Sequence, residues 1–243
     1  MHAGPLGVLL DVTASALVEI CREGKFGFCE LTRWDDRLQA QLSAAYVEFC
    51  EHCSNTCQHH TIRRFTRCGF SMYNSGSWPT YKGKAHNTLV MTRWLECKFS
   101  EFKDESDYSR TRYFVLFAWT QWFDVCLGAD PDFLEHDELV RLSKATKLMI
   151  RCHRKLANLN VATCTASWKI KPKLHVMFHI LKDAESGRRN PKAWWSFKEE
   201  EMMGRLATIA CATHACTLAR RTLERWCLQF FSAMSDDSEP IRL

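Results

Sequence analysis

The segment Lys171–Trp195 reads KPKLHVMFHILKDAESGRRNPKAWW and concentrates imidazoles, cations and indoles more densely than any other part of the chain. Pro172 suits the first turn of a helix, because that position makes no intrahelical hydrogen bond through its N–H. His175 and His179 are four residues apart and therefore share one face of such a helix. The apolar positions of the same helix are Leu174, Met177, Phe178 and Leu181. The segment therefore predicts a helix over residues 172–185, followed by a basic turn.

Hydrophobic periodicity extends this helical pattern over most of the chain. Apolar residues recur three and four positions apart, which is the spacing of one helix face. The predicted helices cover residues 6–21, 38–50, 87–102, 108–127, 139–156, 172–185, 197–213 and 218–231. Residues 71–83 form a predicted loop, and residues 158–165 a loop or a short strand. The simplest architecture is mainly α: one multi-helix domain over residues 1–231, with 71–83 as the candidate break, and a polar tail over 232–243.

Composition narrows the class of protein. The chain has 243 residues, of which 46% are hydrophobic and 25% are charged, as in globular proteins. The net charge of +5 is a mild basic excess that permits nucleic-acid binding. Asp11 and Glu19 interrupt the apolar stretch near the start, so no membrane span is expected there. Thirteen cysteines without a recognisable secretory signal predict reduced thiols in the nucleus or cytoplasm.

A series of motifs in fixed order resembles the C-terminal part of a known protein class. Residues 171–201 carry Lys-Pro-Lys-Leu-His, a second histidine, Asn-Pro, paired tryptophans and a glutamate run. Upstream, residues 1–8, 34–39 and 82–88 carry Met-His-x-x-x-Leu-Gly-Val, Trp-Asp-Asp-Arg-Leu-Gln and Lys-Gly-Lys-Ala-His-Asn-Thr. This order resembles CACTA-like and related transposases with a ribonuclease-H-like core, and their derivatives in dinoflagellate genomes.

The resemblance implies a fold and a chemistry. The helices would correspond to the helical insertion and C-terminal helices of a ribonuclease-H-like transposase. Such enzymes hold two Mg²⁺ ions with three acids, and the last acid corresponds to Glu199, Glu200 or Glu201. The aspartate that precedes the Met-His pair in the family has no counterpart here. We therefore expect a catalytically incomplete, transposase-derived DNA-binding domain that acts with a missing N-terminal half or as a homo-oligomer.

Basic residues on both sides of the histidines are the predicted DNA contacts, because cations that converge on one surface bind phosphates. These candidates are Lys169, Lys171, Lys173, Arg188, Arg189 and Lys192. Further basic groups lie at Arg63, Arg64 and Arg67, and at Arg220, Arg221 and Arg225. Any of these groups alone is also compatible with an ordinary solvated surface.

The histidines and tryptophans of the opening segment have two interpretations. His175 and His179 either ligate a metal or, as we expect, are buried and hydrogen bonded to the loop Asn190–Trp195. Trp194 and Trp195 either stack on bases or, as we expect, anchor that loop in the core.

A cysteine–histidine cluster supports an alternative function. Cys50 and Cys53 have the spacing of a zinc-binding pair, and Cys57 and His59 follow closely. These four residues would hold a structural Zn²⁺ ion in a tetrahedral site. The chain would then be a zinc-stabilised protein-interaction module rather than a nucleic-acid-binding domain.

Overall fold

The computed structural model describes residues 7–194 and 206–235, and they are mainly helical, which confirms the predicted fold class. The chain divides into two compact units, Met1–Ala193 and Trp194–Leu243. Over the described residues there is no β-strand, only an isolated antiparallel bridge between Phe133 and Arg189. None of the described helices is both long enough and apolar enough to cross a membrane.

Six helices build the first unit, and their positions follow the predicted pattern closely. They are α1 (Leu9–Arg22), α2 (Trp34–Asn55), α3 (Ala85–Phe102), α4 (Asp107–Gly128), α5 (His136–Ala162) and α6 (Pro172–Gly187). Short 3₁₀ turns occur at Cys68–Phe70 and Pro191–Trp194. The loop 71–83 lies inside this unit, where Tyr81 N donates to Leu10 O across 3.3 Å.

The second unit contains fewer described residues. Residues 206–211 are helical, as predicted, but the start of the predicted helix at Phe197 lies outside the described residues. A 3₁₀ turn at Ala215–Thr217 leads into the last helix, Leu218–Ser235. That helix ends four residues beyond its predicted end at residue 231. The rest of the tail, 236–243, is outside the described residues.

Helix α1 is the centre of the first unit. Nearly all of its residues are buried, and it contacts α2, α3 and α4. A helix that is buried nearly all round must be surrounded by others, and this one is. It ends at Arg22, and Gly24, two residues further on, adopts φ +74°, a left-handed conformation that favours glycine.

The prediction of a loop or short strand at residues 158–165 is wrong for residues 158–162, which are helical. Helix α5 continues to Ala162, where the prediction ended it at residue 156. Asn160 is 4% exposed, and Tyr108 Oη lies 3.3 Å from its Oδ1. This tertiary contact keeps the last turn of α5 helical despite its polar and β-branched sequence.

A row of polar residues runs along the buried helix α1. Asp11, Ser15 and Glu19 follow each other at intervals of four, so they share one face. Ser15 Oγ accepts the backbone N–H of Trp168 at 2.9 Å. The row is therefore the surface on which the segment before α6 docks, with its polar groups paired as buried groups require.

Glu19 occupies the most enclosed position of this row. Its Oε1 accepts hydrogen bonds from Tyr108 Oη at 2.9 Å and from Trp168 Nε1 at 2.7 Å. Its Oε2 lies 3.5 Å from Arg112 Nη1, in a pair whose side chains are both under 10% exposed. Burial raises the pKa of the Glu19 carboxyl above its ordinary value, although Arg112 opposes that shift.

His153 on α5 contacts the same segment, the residues that precede α6. Its ring is fully buried, and Nε2 lies 3.3 Å from Trp168 O and 3.2 Å from Lys169 O. Two carbonyl acceptors require a proton on Nε2, so the neutral ring is the Nε2–H tautomer. Burial lowers the pKa of His153 below its ordinary value, because the imidazolium would lose its water.

Candidate functional site

The predicted histidine helix exists, but its histidines are not buried. Helix α6 begins at Pro172, and His175 and His179 share one face with their Nε2 atoms 2.8 Å apart. Both rings are exposed, because the core-facing stripe of α6 is formed by Leu174, Met177, Leu181 and Ala184. Over the described part of the loop 190–194, neither ring has a hydrogen-bond partner. The expectation of buried histidines bonded to this loop is therefore wrong.

Asn190 secures this loop instead of the histidines. It is fully buried, and its Nδ2 donates to Cys126 O at 3.0 Å and to Asp130 O at 2.8 Å. Its Oδ1 accepts the N–H of Lys192 at 2.9 Å. The Asn-Pro motif thus ties the end of α6 to the end of α4. Trp194 closes the following 3₁₀ turn, and Trp195 lies outside the described residues.

The predicted DNA contacts lie in two groups, one at each end of α6. Lys171 Nζ lies 2.6 Å from Asp11 Oδ2, and Asp11 is 1% exposed, so this lysine is committed to an internal ion pair. Lys169 and Lys173 lie at the start of α6, whereas Arg188, Arg189 and Lys192 follow its end. A helix of 16 residues separates the two groups by about 24 Å. The six cations therefore form two separate groups rather than one cluster.

Arg188 also has an internal role. It ends α6 in a left-handed conformation with φ 51°. Its Nε donates to Leu134 O at 3.2 Å, and Nη2 lies 3.4 Å from Glu135 Oε2. Leu134 N in turn donates to Arg188 O at 2.7 Å. This arginine therefore joins the end of α6 to the start of α5.

The predicted zinc ligands are not assembled. Among all described residues, no group of three or more His, Cys, Asp or Glu side chains is placed to hold a metal ion. Helix α2 brings Cys50 and Cys53 together, and Cys50 Sγ lies 4.0 Å from His60 Nε2. Cys57 has already left the helix and is exposed. Burial and the neighbouring Cys50 raise the pKa of Cys53 to about 11, which opposes the thiolate that zinc requires.

All thirteen cysteines are unpaired in the structure. The remaining predicted site residues, Glu199, Glu200 and Glu201, lie outside the described residues.

The structure instead reveals a basic groove between α5 and α6, with a volume of about 720 Å³. Four cations line it together with apolar side chains. The lining residues are Lys147, Ile150, Arg151, Arg154, Lys155, Asn158, Leu159 and Phe178. We call this surface the α5–α6 groove. Its combination of cations and apolar surface fits a ligand that is both anionic and partly apolar.

Two of the four cations have no acidic partner. Lys147 is 3.8 Å from Glu185 Oε1, and Lys155 pairs with Asp107. Both pairs are solvent-exposed and therefore weak. Within the described residues, no carboxylate lies within ion-pair distance of Arg151 or Arg154. These two guanidinium groups have their charge and their donors available to an incoming anion.

Phe178 supplies the aromatic part of the groove. Its side chain is 37% exposed, because other apolar residues of α6 make the contact between that helix and the core. Lys182 Nζ lies 4.9 Å from the centroid of this ring, which adds a further cation beside the groove. An exposed aromatic ring among cations is an arrangement on which a nucleic-acid base can stack.

The sequence contains a signal for this groove, but the apolar pattern of α5 is the more prominent one. Lys147, Arg151 and Arg154 recur at intervals of four and three, on the side of α5 opposite Leu142, Met149 and Leu156. A basic stripe of this kind, read along the helix, identifies the α5 side of the groove. It does not identify Phe178, because only the packing of α6 brings that ring to α5.

Comparison with known protein families, with curated proteins and with solved structures finds no match to this chain. The candidate site therefore depends on its geometry and charge alone.

Proposed function

We propose that this domain binds nucleic acid through the α5–α6 groove. The observation that carries the proposal is the pair Arg151 and Arg154, unneutralised cations that line the same groove as Phe178. Guanidinium groups pair with phosphate oxygens through two N–H donors, and an aromatic ring stacks on bases. A simple polyanion would use the cations but would gain nothing from the ring.

The resemblance to transposases agrees with this proposal, because transposases bind DNA. We also propose that the domain derives from the helical part of a ribonuclease-H-like transposase. The natural ligand of such a protein is DNA in the nucleus. The mainly helical architecture supports that derivation without distinguishing it from other helical folds. The alternative, a zinc-stabilised interaction module, loses its support because the four predicted ligands are not placed together.

Replacement of Arg151 and Arg154 by glutamine tests the proposal. The full chain would be titrated into a fluorescently labelled oligonucleotide, single-stranded and duplex, and binding followed by anisotropy between 50 and 200 mM salt, the range over which such affinities respond strongly. We expect the slope of log affinity against log salt to fall in magnitude by about 1.4–1.8, since each lost phosphate contact contributes about 0.7–0.9.

The control removes the same charge elsewhere. Arg63 and Arg64 are adjacent, exposed and distant in sequence from α5, so R63Q/R64Q lowers the net charge equally. If both double variants change binding equally, the attraction is a property of net charge, and the groove is not the site. If neither variant changes binding, or the parent chain binds neither oligonucleotide at 50 mM salt, the proposal fails.

Phe178→Leu tests the aromatic contribution, because leucine keeps the apolar contact but removes the stacking ring. We expect single-stranded affinity to fall about fivefold or more, which corresponds to the lower limit of base–aromatic stacking. Binding of heparin, a polyanion without bases, should be unchanged. Equal losses for both ligands would indicate a damaged groove rather than a lost stacking contact.

A further inference from the structure

His175 and His179 form a pair of imidazoles whose metal-binding atoms meet outside the helix. Their Nε2 atoms are 2.8 Å apart, the ring centroids are 4.5 Å apart, and the ring planes are nearly perpendicular at 89°. Both side chains are exposed on α6. Since the backbone of an α-helix fixes the four-residue spacing, the pair is held together before any ligand arrives.

The pair does not stabilise the fold in the way a buried histidine does. The only hydrogen bond of either ring to a described residue is the one between them. One Nε2–H must donate while the other Nε2 accepts, so the lone pair of one ring points at the proton of the other. An exposed hydrogen bond of this kind contributes little to folding, because water replaces either partner at small cost.

The distance between the two nitrogens fits adjacent positions around a metal ion. Metal–imidazole bonds are about 2.0–2.1 Å long, so two ligands at 90° are about 2.9 Å apart and two tetrahedral ligands about 3.4 Å apart. The observed 2.8 Å therefore matches adjacent ligands of a square-planar or octahedral ion. Ni²⁺ and Cu²⁺ prefer such geometries with nitrogen ligands.

We propose that His175 and His179 form a two-histidine site for a divalent transition-metal ion of the Ni²⁺ or Cu²⁺ type. The ion takes the place of the proton between the two Nε2 atoms, and that proton moves to Nδ1 of its ring. No third His, Cys, Asp or Glu of the described chain joins the pair, although Asp183 lies one turn further along α6. Water completes the coordination, so the ion is exchangeable and keeps open positions for an outside ligand.

The site is independent of the proposed nucleic-acid function. It uses the face of α6 next to Phe178, whose ring centroid is 6.5 Å from that of His179. None of the groove cations is part of it. Metal binding can therefore be measured without nucleic acid, and either proposal can fail without the other.

Nuclear magnetic resonance of the ¹⁵N-labelled full chain locates the metal. Thirteen thiols compete for transition metals, so a measurement that only counts bound ions is insufficient. Under addition of Ni²⁺, we expect the amide signals of α6 around His175 and His179 to change first. His175→Ala and His179→Ala should each weaken this response on the order of 100-fold, because a second linked ligand raises binding by at least that factor.

His136→Ala is the matched control, since it removes an exposed histidine on α5 that has no second histidine one turn away. It should leave the α6 response unchanged. All three substitutions are at exposed positions, and matching spectra without metal would confirm that the variants fold. The proposal is overturned if Ni²⁺ perturbs cysteine-containing segments but not α6, or if the α6 response persists in either single-histidine variant.

Discussion

Glu19 offers the sharpest test of how this fold is held together. The carboxylate lies 6% exposed on the central helix and is the acceptor for Tyr108 and Trp168. Glu19→Ala removes that acceptor and leaves the buried Trp168 Nε1 without its 2.7 Å partner. It also removes one of the two carboxylates beside Arg112. Loss of one member of a buried charged network costs about 3–5 kcal/mol, and we expect the free energy of unfolding to fall by that amount.

Glu19→Gln separates the role of the acceptor from the role of the charge. The amide oxygen can still accept from Tyr108 and Trp168, so only the charged component of these bonds and the contact with Arg112 are lost. Because burial raises the pKa of Glu19, its charge is already disfavoured in the core. We therefore expect a loss of about 1–2 kcal/mol, well below that of the alanine variant.

Glu23→Ala is the internal control for this comparison. Glu23 is the other carboxylate that pairs with Arg112, but its side chain is 36% exposed. An exposed partner contributes little, so the expected loss is below about 1 kcal/mol. Urea unfolding followed by tryptophan fluorescence measures all three variants, provided that the slope with urea stays constant. Equal losses for Glu19→Gln and Glu19→Ala, or a loss below 1 kcal/mol for Glu19→Ala, would refute the reasoning.

Two further predictions concern the same unit. In the folded chain, the pKa of His153 is lowered from its ordinary value of 6.5. Between pH 6.5 and this lower pKa, His153 therefore binds a proton in the unfolded chain but not in the folded chain. Stability should therefore decrease as the pH falls below about 6.5, by up to about 1.4 kcal/mol per pH unit, and His153→Gln should remove this component from urea titrations at pH 7 and pH 5. Asn190→Ala should cost about 2–4 kcal/mol, because it leaves the half-buried Lys192 N–H and two carbonyls without their partner. A thermal midpoint within 2 °C of the parent chain would contradict the anchoring role of Asn190, since 1 kcal/mol shifts a unit of this size by about 2–4 °C.

The helical pattern was predictable because it depends on local spacing. Leu142, Met149 and Leu156 recur at heptad distance on α5, and all three are buried as that spacing requires. The end of α5 was not predictable to the same degree. Asn160 belongs to the helix because it reaches Glu19 and Tyr108, and these lie 141 and 52 residues away in sequence. Contacts of that range carry no local periodicity.

The basic residues show the same division between local and distant information. Lys171 has the sequence context of a surface cation, yet it pairs with the buried Asp11. Arg151 and Arg154 belong to a helix whose apolar stripe is its stronger sequence signal. In the structure, they line an open groove with Phe178. Whether a lysine or arginine meets a carboxylate, a carbonyl or solvent depends on which distant element packs beside it.

The sequence by itself determined the helices, the start of α6 at Pro172 and the common face of His175 and His179, because backbone geometry and four-residue spacing are local properties. Only the tertiary structure decided which face of each helix is covered. It placed the polar row of α1 in the core, left the two histidines exposed and opened the groove between α5 and α6. The physical reason is that burial and charge pairing depend on neighbours in space, and these neighbours are brought together by chain segments far apart in sequence.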